Sequence, residues 1–360
     1  MAIAALGLCF SGPGQTYVIA VFVDPYLQAF GWSRSLISGL YSAATLLAGM
    51  CPLVVGRAVD RWGARRMSVA AAIALGAACL WSSAVHTALG LFVAFFLLRV
   101  FGQGAMTLIP QALVPQWFIR QRGAALSWMG LGGSLSLALF PPISDWMISE
   151  WGWESAWRVW ALAVWFLYTP VAAWLIRDRP EEMGLVADGG WRPAEAGEAL
   201  PPAAVDEEAW TLRQAGRTSA FWYVLIAASI PALVNTGLNF HLASVLGLQG
   251  VPASIASLVL SAFAVAGLPV RILIGYLLDR LPVHRVLAVG FAAQVPVLAS
   301  VAWIHSDAAA LAFGVAWGVV CTWQGLALTV IWPQYFGRAH LGSIYGASMA
   351  AMVIGSALGP

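Results

Sequence analysis

Arg271 stands inside a long hydrophobic stretch of the sequence, where a positive charge needs a partner. It precedes Asp279, which marks the end of that stretch, by eight residues. In a helix this separation amounts to about 12 Å, which places Arg271 near the middle of a hydrocarbon layer about 30 Å thick. No acidic residue occupies the middle of a hydrophobic stretch. Because a planar guanidinium matches a carboxylate, we predict that Arg271 binds an anion; bonding to backbone or neighbouring side chains is the alternative.

Other polar side chains inside the hydrophobic stretches could contact the same ligand or carry protons. His241 follows Asn239 by two residues, and its titration range suits proton transfer. A histidine bonded to a neighbouring helix is the alternative. Arg99 and Gln103 lie one turn apart and would face the same side of a helix. Gln324 could line a cavity or pack in the core.

The composition indicates an integral membrane protein. Of 360 residues, 61% are hydrophobic and only 9% are charged, whereas soluble domains carry about 25% charged residues. Lipid cannot satisfy free backbone groups, and the alternating pattern of a barrel strand is absent, so the spans are predicted to be helices. Eleven spans fit the charge-free runs, at about 3–24, 34–56, 67–86, 88–112, 123–148, 155–176, 219–246, 252–277, 285–305, 307–331 and 341–360.

The charged residues predict the orientation and argue against catalysis. All 18 basic residues are arginine: 14 fall in loops on one side, Arg34 and Arg158 on the other, and Arg99 and Arg271 within spans. That side is predicted to be the cytoplasm, which places the N-terminus inside. No lysine is available for a Schiff base or a phosphate loop, and no span shows paired carboxylates, a metal-ligand cluster or a nucleophile with its base. We therefore predict no enzymatic activity, no cofactor, no metal and no nucleic-acid partner.

The loop at Gly56–Arg66 has a near copy at Gly275–Arg285. Both contain a glycine followed by an Asp-Arg pair, and these residues recur at one constant spacing along the chain. A second match, Pro115–Arg120 with Pro333–Arg338, has almost the same spacing. The chain is thus predicted to be a duplicated unit of six plus six helices, with bundles at 1–176 and 218–360 joined by a cytoplasmic linker at 177–217. The spacing also predicts that a twelfth helix is missing, through truncation or an incomplete model of the gene.

The loop at Gly56–Arg66 resembles the signature of the major facilitator superfamily between helices two and three. Leu98–Gly104 is similar to the superfamily's helix-four motif. The resemblance implies an all-α membrane fold of two pseudo-symmetric six-helix bundles, here with 11 spans, and alternating access by a rocker-switch movement. It also implies a link between Arg99 and proton handling.

Two further segments resemble the monocarboxylate porter and oxalate/formate antiporter branch. They are Phe30–Arg34 and Arg177–Leu185. The branch moves small carboxylates and places a substrate-binding arginine where Arg271 lies. Tyr17 stands near the branch position of a helix-one lysine, and Gly267 replaces an aspartate of proton-coupled members. Ala350–Met352 offers no helix-eleven lysine, so a monoanion is favoured over a dianion.

The two repeated loops are predicted to be breakable latches. An aspartate at the end of one helix can cap a neighbouring helix and pair with the adjacent arginine. An exposed ion pair contributes only about 0–1 kcal/mol, so the contact can break and form again. Simple positive-inside anchors would explain the arginines, but not the repeated glycine and aspartate. The predicted gating residues are Gly56, Asp60, Arg61, Gly275, Asp279 and Arg280.

Together these features predict a bacterial inner-membrane transporter of a small organic anion, with a monocarboxylate favoured. The predicted substrate residues are Arg271, His241, Asn239, Tyr17 and Gln324, and the proton-coupling residues are Arg99 and His241. The expected partners are the substrate, the lipid bilayer and protons, and a monomer is expected. A drug or sugar exporter of the same fold, or a membrane sensor that does not transport, is the alternative.

Overall fold

The computed structural model describes residues 1–191 and 209–358. The described part is almost entirely helical, apart from a two-stranded hairpin of β1 (Leu185–Val186) and β2 (Gly190–Trp191). The part of the predicted linker at 192–208 lies outside the described residues. The α-helices, in chain order, are α1 (Ala2–Cys9), α2 (Thr16–Ile19), α3 (Val23–Phe30), α4 (Arg34–Ala48), α5 (Pro52–Trp62), α6 (Ala64–Ser82), α7 (Ala88–Leu98), α8 (Met106–Trp117), α9 (Arg122–Ala163), α10 (Thr169–Leu175), α11 (Leu212–Ala215), α12 (Ser219–Leu248), α13 (Ala253–Leu278), α14 (Val283–Ser300), α15 (Asp307–Phe336) and α16 (Leu341–Ala357).

Each of the eleven predicted spans overlaps one or more helices among the described residues. The second is divided into α4 and α5, which are bent by 41°. The fifth and sixth lie in one continuous stretch, Arg122–Leu175, in which Gly152 has a φ of 81° and breaks the helix. Within the described residues, eight helices are long and apolar enough to cross a membrane, or nine if the bent pair is one span. The number of eleven stays a prediction.

Local sequence explains where several spans begin. Ser33 accepts a hydrogen bond from Leu36 N at 3.1 Å at the start of α4, and Thr87 accepts one from Gly90 N at 3.0 Å before α7. Hydroxyl side chains at this position satisfy N–H groups that have no partner inside the helix. Pro52 is the first residue of α5, where its missing N–H costs nothing.

The described chain divides into two compact units. Unit 1 comprises residues 1–119, 129–191, 209–213 and 336–350, and unit 2 comprises residues 120–128, 214–335 and 351–358. The first turns of α9 therefore belong to unit 2, and those of α16 belong to unit 1. Each unit thus contains a helix end from the opposite half of the sequence.

Each unit has its own apolar core. In unit 1 the ring of Phe22 stacks on Trp157 at a centroid distance of 4.0 Å, and Trp157 Nε1 donates to Tyr26 Oη at 2.8 Å. In unit 2, Phe313 and Trp317 stack at 5.8 Å within a buried cluster that includes Leu246. Buried indole and phenol groups thus find hydrogen-bond partners while their rings fill the core.

Candidate functional site

Asp60, in the last turn of α5, binds the first turn of α16. Its Oδ1 accepts a hydrogen bond from Gly342 N at 2.8 Å, and its Oδ2 accepts from Ser343 N at 2.8 Å and from Ser343 Oγ. The first N–H groups of a helix have no partner within the helix and form its positive dipole end. The Asp60 carboxylate therefore caps α16, and both ends of this contact lie in unit 1.

Asp279 makes the equivalent contact in unit 2. It directly follows α13, and its Oδ1 accepts from Gly123 N at 2.6 Å while its Oδ2 accepts from Ala124 N at 3.0 Å. Gly123 and Ala124 lie in the first turn of α9. Each repeated aspartate therefore caps a helix that comes from the other half of the sequence.

The repeated glycines allow these helix ends to approach. A Cβ on Gly56 would lie 2.0 Å from Gly342 O, and a Cβ on Gly123 would lie 2.2 Å from Gly275 O. Such distances are too short for any side chain, so backbone meets backbone one turn away from each aspartate. This explains in physical terms why a glycine precedes each aspartate by four residues.

Arg61 takes no part in an ion pair with Asp60 among the described residues. The Arg61 guanidinium lies 5.9 Å from the ring centroid of Trp62, and the side chain is exposed. Arg280 is also exposed. Asp60 therefore caps α16 without forming an ion pair with Arg61.

The start of the predicted linker adds contacts of its own within unit 1. Asp178 Oδ1 accepts from Arg65 N at 2.7 Å and so caps α6, which begins at Ala64. Glu181 Oε1 accepts from Arg338 at 2.6 Å, and Arg338 also donates to Gln116 O at 2.7 Å. These contacts join the linker to the start of α6 and to the loop that precedes α16.

Arg271 lies within α13, two residues after Pro269, and its side chain is half-buried. Among the described residues, no acceptor lies within hydrogen-bond distance of its guanidinium, and no carboxylate pairs with it. A guanidinium carries five N–H donors and cannot be neutralised by deprotonation. Arg271 is therefore a fixed positive charge whose donors are open to a ligand.

Arg99 is more deeply buried, with 6% of its surface exposed. Its NH1 donates to Thr16 Oγ1 at 3.1 Å and to Gly14 O at 3.4 Å, and its Cζ lies 5.4 Å from the ring centroid of Tyr41. It lies at the start of a seven-residue π-helical turn, Arg99–Ala105. Its partners are thus neutral oxygens and an aromatic face.

The other predicted site residues are held by separate contacts. Tyr17 Oη donates to Ser136 Oγ at 2.9 Å, and Asn239 Nδ2 donates to the backbone O of Asn235, one turn earlier in α12, at 2.8 Å. His241 is exposed on α12. The structure joins none of these side chains to Arg271 by a hydrogen bond.

Gln324 is completely buried in α15. Its Nε2 donates to Gly290 O at 3.0 Å and to Gln294 Oε1 at 3.0 Å. Gln324 Oε1 and Gln294 Nε2 have no hydrogen-bond partner among the described residues. The two amides form a polar pair between α14 and α15 with one acceptor and one donor left open.

Several partner residues were not predicted from the sequence. Gly123 and Gly342 lie at the helix ends that the two aspartates cap, and they correspond to each other in the same repeat that relates the two loops. Extending the repeat to the following helices would have found them. The contacts of Thr16 and Tyr41 with Arg99 leave no comparable signal, because hydroxyl residues occur in every predicted span.

Comparison with known proteins supports one family. The sequence profile of the Major Facilitator Superfamily matches residues 4–360. The Membrane sensor protein UhpC of Escherichia coli (strain K12) is 26% identical over 276 residues, which are 72% of this chain and 61% of the sensor. The chain thus spans less than two thirds of that relative. The uncharacterized MFS-type transporter YhjX of the same organism is 25% identical over 354 residues, covering 95% of this chain and 82% of that protein.

The solved structures support the fold. The crystal structure of the MFS transporter FucP in the outward conformation matches with a TM-score of 0.69 at 15% identity, covering 99% of this chain and 89% of that chain. The predicted all-α fold and the predicted superfamily are confirmed. The narrower monocarboxylate branch stays a prediction. The chain belongs to the Major Facilitator Superfamily of multi-pass membrane proteins.

Proposed function

We propose that this protein is a secondary transporter that moves a small organic anion across the membrane by alternating access. The observation that carries the proposal is Arg271, a half-buried arginine within α13, two turns before its end, with no acceptor among the described residues. A buried charge without a partner is costly, and a carboxylate is the ligand that matches a guanidinium best. The transported anion would supply the missing partner.

A monocarboxylate is the favoured substrate class. The predicted helix-eleven region, Ala350–Met352, brings no second cation, and the chain contains no lysine. One guanidinium neutralises one carboxylate, and a second anionic group would have to be desolvated without compensation. His241, Asn239, Tyr17 and Gln324 are proposed to contribute contacts to the non-carboxylate part of the substrate, and Arg99 and His241 to proton coupling.

The two aspartate contacts support a role in gating. Each carboxylate accepts two backbone N–H bonds from a helix start, a contact worth about 0.5–2 kcal/mol. Such a contact is strong enough to bias a two-state equilibrium and weak enough to break at every transport cycle. We propose that Asp60 and Asp279 close the cytoplasmic side, in a bacterial inner membrane with the N-terminus inside.

A ligand-binding sensor is the second candidate. One relative is named a membrane sensor and matches 72% of this chain. A sensor and a transporter would both bind the anion through Arg271. Only a transporter would equilibrate it across a sealed bilayer, so flux into protein-containing vesicles separates the two.

A thermal-shift screen tests the substrate class. The purified protein would be heated with small monocarboxylates, dicarboxylates, sugars and cationic drugs, with Arg271→Gln as the matched variant. We expect a monocarboxylate to raise the unfolding temperature of the wild type more than that of Arg271→Gln. A response to sugars alone or to cations alone would contradict the proposal and favour an exporter of the same fold.

A further inference from the structure

We propose that Arg99, Thr16 and Tyr41 form a second anion-binding subsite inside unit 1, suited to a carboxylate. All three residues belong to unit 1 and contact one another directly. The inference deepens the proposed function and rests on it only for the class of ligand. It gives Arg99 a binding role in addition to the proton-coupling role predicted from the resemblance.

The first span is broken at the level of this cluster. Helix α1 ends at Cys9, a single 3-10 turn follows at Gly12–Gly14, and Gln15 is extended, with φ −85° and ψ 149°. Non-helical backbone at membrane depth is tolerated where it is buried in protein or lines a polar cavity. The break is therefore a position where polar groups are available inside the span.

Two glycines bring this break against the helix that carries Arg99. A Cβ on Gly14 would lie 2.2 Å from Leu98 O and 2.5 Å from Gly102 Cα. Because the backbones touch, Gly14 O comes within 3.4 Å of Arg99 NH1. The π-helical turn that begins at Arg99 is a feature found frequently at functional sites.

The Arg99 guanidinium remains incompletely paired. NH1 is bonded to two neutral oxygens, while the buried Nε has no hydrogen-bond partner among the described residues. Within the same residues, no carboxylate forms an ion pair with it. The face of Tyr41, 5.4 Å away, attracts the charge without neutralising it. An anion is the group that this environment lacks.

A chain of hydroxyl groups leads from Arg99 to a neighbouring cavity. Thr16 Oγ1 accepts from Arg99 and lies 2.7 Å from Tyr41 Oη. If Thr16 donates its proton to Tyr41, the Tyr41 O–H is free to donate onward, and each bond polarises the next. Thr16 and Tyr41 line the cavity together with Ser38 and Ser42. A carboxylate there would meet hydroxyl donors backed by a buried positive charge.

Acetate binding to the full-length protein tests this subsite, with acetamide as the neutral probe of the same shape. Titration calorimetry would compare Arg271→Gln with the double variant Arg271→Gln/Arg99→Gln. We expect Arg271→Gln to retain acetate binding and no acetamide binding, and the added Arg99→Gln to weaken acetate about 10-fold or more. Circular dichroism and the unfolding temperature would show that both variants are folded.

Two conservative variants, each made in the Arg271→Gln background, separate binding from packing. Tyr41→Phe keeps the ring over Arg99 and removes only the hydroxyl, so we expect acetate affinity to fall about 3- to 10-fold with an unchanged unfolding temperature. Arg99→Lys keeps the charge and should retain part of the affinity. Acetate binding that is the same with and without Arg99→Gln, or absent from Arg271→Gln, would overturn the subsite. Neither result would affect the proposed function, which fails separately if Arg271→Gln transports normally.

Discussion

Asp60 and Asp279 make the same contact in the two halves of the chain, whereas the two intramembrane arginines have no counterparts. Each aspartate accepts two backbone N–H groups at a helix start, beside a glycine backbone contact. In the register of the repeat, the counterpart of Arg99 is Trp317, a core residue, and the counterpart of Arg271 is Pro52, at a helix start. The halves are thus alike at the loops and different within the spans.

We infer from this difference that the repeated loops serve gating and the unrepeated arginines serve ligand binding. Asp60 and Asp279 make the same helix-capping contact, one in each half of the chain. We therefore expect both aspartates to act by the same mechanism. An asymmetric ligand does not need the same charge in both halves of the chain. The arginines proposed to bind it, Arg99 and Arg271, are accordingly not repeated. Variants of the loops should therefore behave as pairs, and variants of the arginines should not.

The largest effect is expected from Arg271. Arg271→Gln removes a charge-assisted contact worth about 1.5–3 kcal/mol, so anion uptake at low substrate concentration should fall about 10- to 100-fold. Uptake of a labelled monocarboxylate into reconstituted vesicles measures it. Arg285→Gln, which removes an exposed arginine of the same unit, is the matched control and should transport normally. Equal losses in both variants would show a general effect of net charge.

The two aspartates should give matched intermediate effects. Asp60→Ala and Asp279→Ala each leave two backbone N–H groups unpaired, at a cost of about 1–3 kcal/mol. Both variants should insert into the membrane, unfold at lower temperature and transport more slowly. Thermal unfolding and initial uptake rates would be compared side by side. A large effect of one aspartate with none of the other would break the proposed equivalence of the halves.

The repeated glycines should also act as a pair, with smaller effects. Gly56→Ala places a methyl group against the backbone of Gly342, and Gly275→Ala places one against the Ser127 side chain and Gly123 O, each at a cost of about 1–3 kcal/mol that small helix movements can reduce. Gly39→Ala and Gly325→Ala are controls, because a Cβ at either position meets nothing within 4 Å. The unfolding temperatures of all four variants measure the difference. Destabilisation by the controls as well would point to helix glycines in general.

The smallest effect is expected from Glu181→Gln. Its ion pair with Arg338 is partly exposed, and such pairs contribute about 0–1 kcal/mol. Unfolding at low and high salt would measure it, with the wild type approaching the variant as salt screens the pair. A loss of stability as large as that of Asp60→Ala would show that the linker contact matters as much as the two aspartate contacts, and would contradict the restriction of the latch to the repeated loops.

Much of the fold could be predicted from the sequence, because hydrophobic runs and loop arginines report directly on spans. The helical breaks were harder to predict. The division of the second span between α4 and α5, and the break of the first span at Gly12–Gln15, depend on packing against other helices. Gly and Pro marked these places, but the same residues also occur within unbroken helices such as α12 and α13.

The candidate site was predictable where it depends on charge and repetition. Arg271 could be predicted because no residue of its own span can neutralise its charge. Asp60 could be predicted because the same loop pattern occurs again around Asp279. The helix ends that these aspartates cap could not be identified from the loops alone, since the contacts join residues that are far apart in the sequence. The Tyr41 contact with Arg99 depends on rotamers and helix rotation, which no spacing in the sequence encodes.

Competition for uptake shows whether the transported substrate is an anion bound by Arg271. Vesicles containing the wild-type protein would take up a labelled monocarboxylate in the presence of unlabelled carboxylates or their neutral amides of equal size. We predict that carboxylates compete, that their amides do not, and that Arg271→Gln abolishes the distinction. Equal competition by amides, or competition only by sugars or cations, would contradict an anion carrier built around Arg271.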